Sequence, residues 1–324
     1  MRKFNLLPKA ALLATLLFTV ASCTDDDDAL NVPQQQTIAQ IATGNSDLSS
    51  LVAALDRADL VTTLDGAGQF TVFAPSNAAF ATFMENNGFA NLEAIPVPLL
   101  REVLLNHVVS GRNLSTQLST GYVKTLSKGT SSSTNTLSMF LNTSAGVMIN
   151  GGLANGGAKV ITADISASNG VIHLVNGVIM MPTVVNHAIA NPDLSTLVSA
   201  LTRPDQPDFA GILSGTGPFT VFAPTNNAFG SLLTELNVAS LADVPQSTLE
   251  NVLKYHVVAD ANVLSSELTN DMIVTTFQTG TFTIQTPSSG AKITDANGRM
   301  SNIIAVDIQA SNGIVHAIDN VLLP

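Results

Sequence analysis

A ten-residue stretch recurs in this chain with two changes: Thr71 to Phe80 reads TVFAPSNAAF, and Thr220 to Phe229 reads TVFAPTNNAF, 149 positions later. A repeat of this kind limits the fold more than any single motif does, because it divides 324 residues into two copies of one unit of ordinary domain size. The surrounding sequence repeats in the same order. DLSSLVAALDRADL from Asp47 answers DLSTLVSALTRPDQ from Asp193, with apolar residues at helical spacing: Leu48, Leu51, Val52 and Leu55 against Leu194, Leu197, Val198 and Leu201. Each predicts a helix with one buried face.

The ten-residue stretch predicts a strand feeding a helix. Phe70 to Phe73 and Phe219 to Phe222 are β-prone and nearly all apolar, which suits a strand covered on both faces. Pro75 and Pro224 end it, having no N–H for the ladder. Ser76 and Thr225 can cap the next helix, whose apolar face is Phe80, Phe83 and Met84 in one copy and Phe229, Leu232, Leu233 and Leu236 in the other. A further helix is predicted in IPVPLLREVLLNHVVSG and VPQSTLENVLKYHVVAD, with Leu99, Leu100, Val103, Leu104 and His107 on one side of the first and Leu249, Val252, Leu253 and His256 on one side of the second. The period then shortens to two, and Leu137 to Leu141, Val147 to Asn150, Phe282 to Gln285 and Ala291 to Thr294 read as hairpin strands. Each half closes on a second signature, DISASNGVIHLVNGVIMMP from Asp164 and DIQASNGIVHAIDNVLLP from Asp307. Asn169-Gly170 and Asn312-Gly313 predict type I′ hairpin turns. The offset there has fallen to 143, so the first copy holds extra residues, expected in its GTSSSTNTLS and NGGLANGG loops. The second copy starts directly after Pro182, and so short a junction predicts packed or only modestly hinged domains.

TVFAPTNNAF, the helix-borne YH of Tyr255-His256 and the closing SNGIVHAIDNVLLP together resemble the fasciclin domain, over residues 34–182 and 183–324. The resemblance implies an α+β fold, two tandem fasciclin-like domains, each a wedge-shaped β-sandwich with several helices packed on one side. It implies a non-enzymatic adhesion or extracellular-matrix module. The family-motif positions are Thr71, Phe73, Pro75, Asn77, His107, Asn169, Gly170 and His173, then Thr220, Phe222, Pro224, Asn226, Tyr255, His256, Asn312, Gly313 and His316, all expected to be structural. In the first copy Asn106 stands where the pair has tyrosine, which puts a tyrosine-dependent contact there in doubt.

The N-terminus carries a different signal. Arg2, Lys3 and Lys9 precede an apolar run from Ala10 to Val20, the form of a secretory signal peptide. Val20-Ala21-Ser22-Cys23 resembles a bacterial lipobox. The expectation is cleavage of residues 1–22, lipidation of Cys23, the one cysteine in the chain, and an acidic tether over 23–33 that contains Asp25 to Asp28. Acyl chains on Cys23 would hold the protein in a membrane, expected to be the outer membrane with the domains at the cell surface or facing the periplasm. Cleavage would take the net charge from −11 to −14, because Arg2, Lys3 and Lys9 leave. With so few cations nucleic acid is excluded as a partner. Only 11% of residues are charged, against about 25% in ordinary domains, so the surface is mostly neutral and polar. Polysaccharide, matrix proteins and cell-surface proteins are the expected partners.

Reactive chemistry has little to rest on. Zinc-ligand spacing, a nucleophile elbow and a phosphate loop are all missing from the sequence, and no cofactor is expected. The matched histidines predict neutral, hydrogen-bonded core imidazoles, and the matched Asp164 and Asp307 predict turn-forming carboxylates rather than a hydrolase pair. His187, unmatched, receives no role. Two rival functions remain open: carriage of a small apolar ligand, lipid or pigment, between sheet and helices, and service as an accessory subunit of an outer-membrane uptake complex.

Overall fold

The computed structural model describes residues 35–324 apart from Ala67 and Ser289, and residues 35–324 form one compact unit. The chain first lays down three short helices, α1 (Ile38–Gly44), α2 (Ser49–Arg57) and α3 (Val61–Asp65). Strand β1 (Phe70–Pro75), α4 (Asn77–Asn86) and α5 (Val97–Leu105) follow. Six strands complete the half: β2 (Val108–Ser110), β3 (Gly121–Lys124), β4 (Ser138–Asn142), β5 (Met148–Ile149), β6 (Ala158–Ala167) and β7 (Gly170–Val175). The second half repeats this order with α6 (Val184–Ala190), α7 (Ser195–Leu201), α8 (Phe209–Ser214), β8 (Phe219–Pro224), α9 (Asn226–Glu235) and α10 (Gln246–Tyr255). It ends with β9 (Val257–Ala259), β10 (Met272–Thr275), β11 (Thr281–Gln285), β12 (Lys292–Thr294), β13 (Met300–Ala310) and β14 (Gly313–Ile318).

Each half is one open seven-stranded sheet, in the order β2-β1-β7-β6-β5-β4-β3 and β10-β11-β12-β13-β14-β8-β9. Among the strands of the described residues, only β1 with β7 and β8 with β14 run parallel. The long strands β6 and β13 carry register shifts where they meet β7 and β14, and such bulges bend a strand. The sandwich is therefore a single sheet folded onto itself. In the first domain Phe73, Val175 and Ile149 meet Met139 and Leu141 between the folded halves, while Val72, Ala74 and Ile172 face the helices α2, α4 and α5. The second domain repeats the division, with Phe222, Phe282 and Ile318 inside the fold and Val221, Ala223 and Val315 under the helices. The motif strand is covered on both faces, as its apolar run requires.

Several local expectations are modified. The helix expected from Asp47 begins as a single 3-10 turn over Ser46–Leu48 and ends at Arg57; Leu48, Leu51 and Leu55 are buried as the spacing required. Leu236 falls just past α9 and is exposed, so the face of that helix is Phe229 and Leu232. The hairpins at Asn169 and Asn312 form, but not as type I′ turns. Ala167 pairs with Gly170 and Ala310 with Gly313, so the two loop residues are Ser168-Asn169 and Ser311-Asn312, and none of the four has a positive φ. Gly170 and Gly313 are already strand residues, with φ of 154° and 157°. Their glycine is required by close approach, since a Cβ would lie 2.0 Å from Phe70 O and 2.1 Å from Phe219 O.

The extra residues of the first copy fall in the stretch between Thr125 and Leu137, whose counterpart is a tight turn from Thr276 to Gly280. The Asn150 to Gly157 loop is nearly the same length as its partner. The longer stretch reaches the second domain: Thr130 Oγ1 donates to Ser311 O (2.9 Å) and Ser131 Oγ to Ala310 O (2.8 Å). Lys124 Nζ donates to Asp307 O (2.7 Å), and Asn155 and Asn186 exchange side-chain hydrogen bonds across the junction.

Candidate functional site

The matched polar residues are the natural candidates for a site, and their partners decide what they can do. Thr71 Oγ1 donates to Gly111 O (2.7 Å) and accepts from Asn113 N–H (2.9 Å). Thr220 does the same with Ala261 O and Val263 N–H. Asn77, at the first position of α4, donates to Ser46 O (2.8 Å) and accepts from Ser50 N–H (2.9 Å), which ties α4 to the start of α2. Asn226 makes the equivalent pair with Pro192 O and Thr196 N–H. Asn169 accepts from Ile38 N–H (2.9 Å) and donates to Leu64 O (2.6 Å), stapling the hairpin tip to α1 and α3. Asn312 holds Val184 N–H and the carbonyls of Leu213 and Gly215. Each of these groups satisfies backbone that the helix ends and loops leave unpaired.

The four matched imidazoles are equally committed. His107 Nδ1 donates to Val103 O (2.7 Å) and Nε2 accepts from Ile179 N–H (2.8 Å). His256 bonds Val252 O and Leu322 N–H in the same way. Complete burial, which disfavours the imidazolium, lowers both to a pKa of about 4. In the strands, His173 Nε2 donates to Asn113 O (3.0 Å) while Nδ1 accepts from Asp164 N–H (3.2 Å). His316 repeats this with Val263 O and Asp307 N–H, and burial lowers its pKa as well. Phe73 and Phe222 lie against these rings at centroid distances of 5.5 Å.

A serine, an aspartate and a histidine therefore meet in each domain, but in the wrong order for catalysis. Ser115 Oγ donates to Asp164 Oδ2 (2.5 Å) and Ser115 N–H to Oδ1, while both ring nitrogens of His173 serve the backbone. The base is not free to take the serine proton, which nucleophilic activation demands. Asp164 and Asp307 have φ of 65° and 57°, and their carboxylates hold this left-handed turn against the Ser115 and Ser265 loops. The hydrogen bonds from Ser115 keep the Asp164 carboxyl below the usual carboxylate range.

The two copies part at the tyrosine position. Buried Tyr255 donates its hydroxyl proton to Thr281 O (2.5 Å), accepts from Ala296 N–H (3.2 Å) and stands edge-on to Phe282. Asn106 instead turns its amide to Ile179 O and Met180 O, leaving Oδ1 without a partner. The sequence did not single out Gln309, yet it is fully buried between the domains. Its Nε2 donates to Ser131 Oγ (3.0 Å) and Asn262 Oδ1 (2.8 Å), and its backbone carbonyl accepts from His187 Nε2 (3.1 Å). His187, given no role by sequence, shares the second domain with Gln309 and meets the first through Tyr122, whose hydroxyl donates to His187 O (3.4 Å). Its fixed position against Tyr122, with ring centroids 5.5 Å apart, marks the junction as packed. Only the break in symmetry between the two copies, GlnAla against SerAla before each SNG, could have marked Gln309 in advance.

No group of three or more His, Cys, Asp or Glu able to hold a metal occurs among the described residues, and no helix among them is long and apolar enough to cross a membrane. Cys23 and the acidic run after it lie outside the described residues.

The family model for the fasciclin domain matches residues 46–182 and 192–324. The chain is similar to human periostin, 29% identical over 83% of this chain and 30% of that one, and to the transforming growth factor-beta-induced protein ig-h3 of Sus scrofa, 30% identical over 81% and 35%. It is also similar to the Synechocystis protein sll1483, 37% identical over 45% of this chain and 74% of that one. It thus spans about a third of the length of the vertebrate relatives. A fasciclin domain pair from the insect cell adhesion molecule Fasciclin I aligns with a TM-score of 0.49 at 20% identity, over 84% of this chain and 92% of that one. On the two family matches, which cover most of its length, the chain belongs to the fasciclin domain family and carries two such domains in tandem.

Proposed function

We propose that this protein acts without enzymatic activity in adhesion, binding extracellular matrix, cell-surface proteins or glycans, from a membrane to which lipidated Cys23 anchors it. The observation that carries this reading is the commitment of the matched polar residues. Thr71, Asn77, His107, Asn169, His173 and their counterparts all hold backbone and leave no reactive pair, so recognition falls to the surface around them. That surface is polar and sparsely charged, with a net −11 over the chain. Two domains joined through a hydrogen-bonded junction present their faces at fixed spacing, which raises avidity when both engage weak ligands. The rival apolar-ligand reading has less support. A cavity between Phe73, Val109, Leu118 and Leu141 holds about 90 Å³, and one beneath α6 and α7 about 20 Å³. A lipid or pigment asks for roughly 300 Å³ or more.

The purified chain should bind at least one surface in a panel of glycans, matrix proteins and whole cells; background signal on every surface would overturn the adhesive reading. Membrane fractionation tests the anchor separately. Cys23→Ala should release the protein from membranes, and an unaltered membrane fraction would refute lipidation at that residue.

A further inference from the structure

The second domain supplies a template for what the first domain leaves open. Arg299, two residues ahead of Ser301 on β13, crosses to the end of α9: Nη2 donates to Glu235 Oε2 (2.7 Å) and Nη1 to Val321 O (3.0 Å), with Asp295 Oδ2 at 3.9 Å. The corresponding place in the first domain, two residues ahead of Ala158 on β6, is Gly156, whose φ is 71°. Asn86 stands where the second domain has Glu235, and Val178 where it has Val321. No N–H or side chain donates to Val178 O among the described residues. With no side chain at Gly156, a groove of about 270 Å³ runs between α4 and the Asn150 to Gly157 loop, with Phe83, Val178 and Met180 below, and Asn86, Asn176 and exposed Leu153 at the rim.

We propose that this groove in the first domain takes an arginine side chain presented by a partner polypeptide, in the place that Arg299 fills in the second domain. The apolar floor suits the methylene stem of an arginine, which buries its carbons while the head seeks acceptors. Val178 and Asn86, which both line the groove, correspond in the repeat to Val321 and Glu235, the two acceptors that Arg299 uses on two different elements. A planar guanidinium with several donors can span both, where an ammonium is a single compact charge. Lys159, the nearest cation along the chain, directs its stem toward Gly146 instead. The net negative charge of the chain favours a cationic visitor. This adds a partner chemistry to the adhesive reading and does not depend on it.

The test is an amide-shift NMR titration of the purified chain with a capped Gly-Gly-Arg-Gly-Gly peptide, alongside matched lysine and citrulline peptides and free arginine. The arginine peptide should shift Val178, Asn176 and Asn86 with low-millimolar affinity, at least several-fold tighter than lysine or citrulline. Asn86→Glu, which restores the carboxylate that Glu235 provides, should tighten it about tenfold. Thr82→Trp, on the exposed side of α4 at the groove wall, should abolish the shifts with thermal stability unchanged. The proposal is overturned if neither the natural chain nor Asn86→Glu responds at about 10 mM peptide. It is equally overturned if lysine and arginine peptides act alike, or if free arginine binds where the peptide does not.

Discussion

Gln309 of the second domain donates its backbone N–H to Ser138 Oγ of the first at 3.0 Å. Its side-chain amide is buried at the same junction and satisfied by four acceptors, Ser131 Oγ, Asn262 Oδ1, Ala310 O and Gly313 O. A buried amide with this many partners is costly to remove, because each partner left unpaired loses about 1 to 3 kcal/mol. Gln309→Ala is expected to loosen the junction while both sheets stay folded. Limited proteolysis should then cut between Thr125 and Leu137 well before it cuts the natural chain. Equal cleavage rates would show that the junction does not depend on this amide.

Asn169 and Asn312 staple the hairpin tips to the helix layer. Asn169→Ala removes an acceptor for Ile38 N–H and a donor to Leu64 O in one step. The expected loss is about 2 to 4 kcal/mol, from two buried hydrogen bonds at roughly 1 to 2 kcal/mol each. Asn169→Asp keeps the acceptor and loses the donor, so urea unfolding should place it between the two. If aspartate and alanine destabilise equally, the Ile38 contact carries no weight.

Gly170→Ala tests the close approach of β7 to β1. A methyl group there would sit 2.0 Å from Phe70 O and 2.9 Å from Ile38 Cδ1, against backbone that is locked into the parallel ladder. The strand must shift, and a loss of more than about 3 kcal/mol is expected. Gly88→Ala serves as the contrast. Its φ is 69° but a Cβ would meet nothing within 4 Å, so only the backbone penalty of about 1 kcal/mol applies. Thermal unfolding of both variants should rank them in that order.

Periodicity and duplication were enough to read the β1 to α4 unit, its caps and its two covered faces from the residues alone, because each depends on neighbours in sequence. Ser76 and Thr225 cap α4 and α9 as expected. What the residues concealed are contacts between distant segments. The Asn169 hairpin was legible, but not the reason for its asparagine, since Ile38 is 131 positions away. Nor does the sequence mark Arg299, whose partners Glu235 and Val321 lie 64 and 22 positions away. The four matched histidines are buried, and apolar neighbours on both sides make that position legible in sequence. His187 lacked a matched partner to compare with, and its role arises at a junction that neither copy contains by itself.

Acid should destabilise the fold through its buried imidazoles. His107, His187 and His256 are held to about 4 by burial, against an ordinary 6.5. Their folded values lie below their unfolded ones, so the unfolded chain binds more protons between those limits. The stability they contribute is fully present above about pH 6.5 and is lost as pH falls toward 4, at about 1.4 kcal/mol per unit for each ring. His316, lowered in the same direction by burial, adds to the trend. The midpoint of thermal unfolding should therefore change little from pH 8 to 7 and drop steeply from about 6 to 4.5. His107→Gln should be less stable at pH 7, through lost bonds to Val103 O and Ile179 N–H, and should show a shallower decline. A midpoint independent of pH across the acid range would mean that burial does not lower these rings below their unfolded values, and an unchanged slope in the variant would remove His107 from the effect.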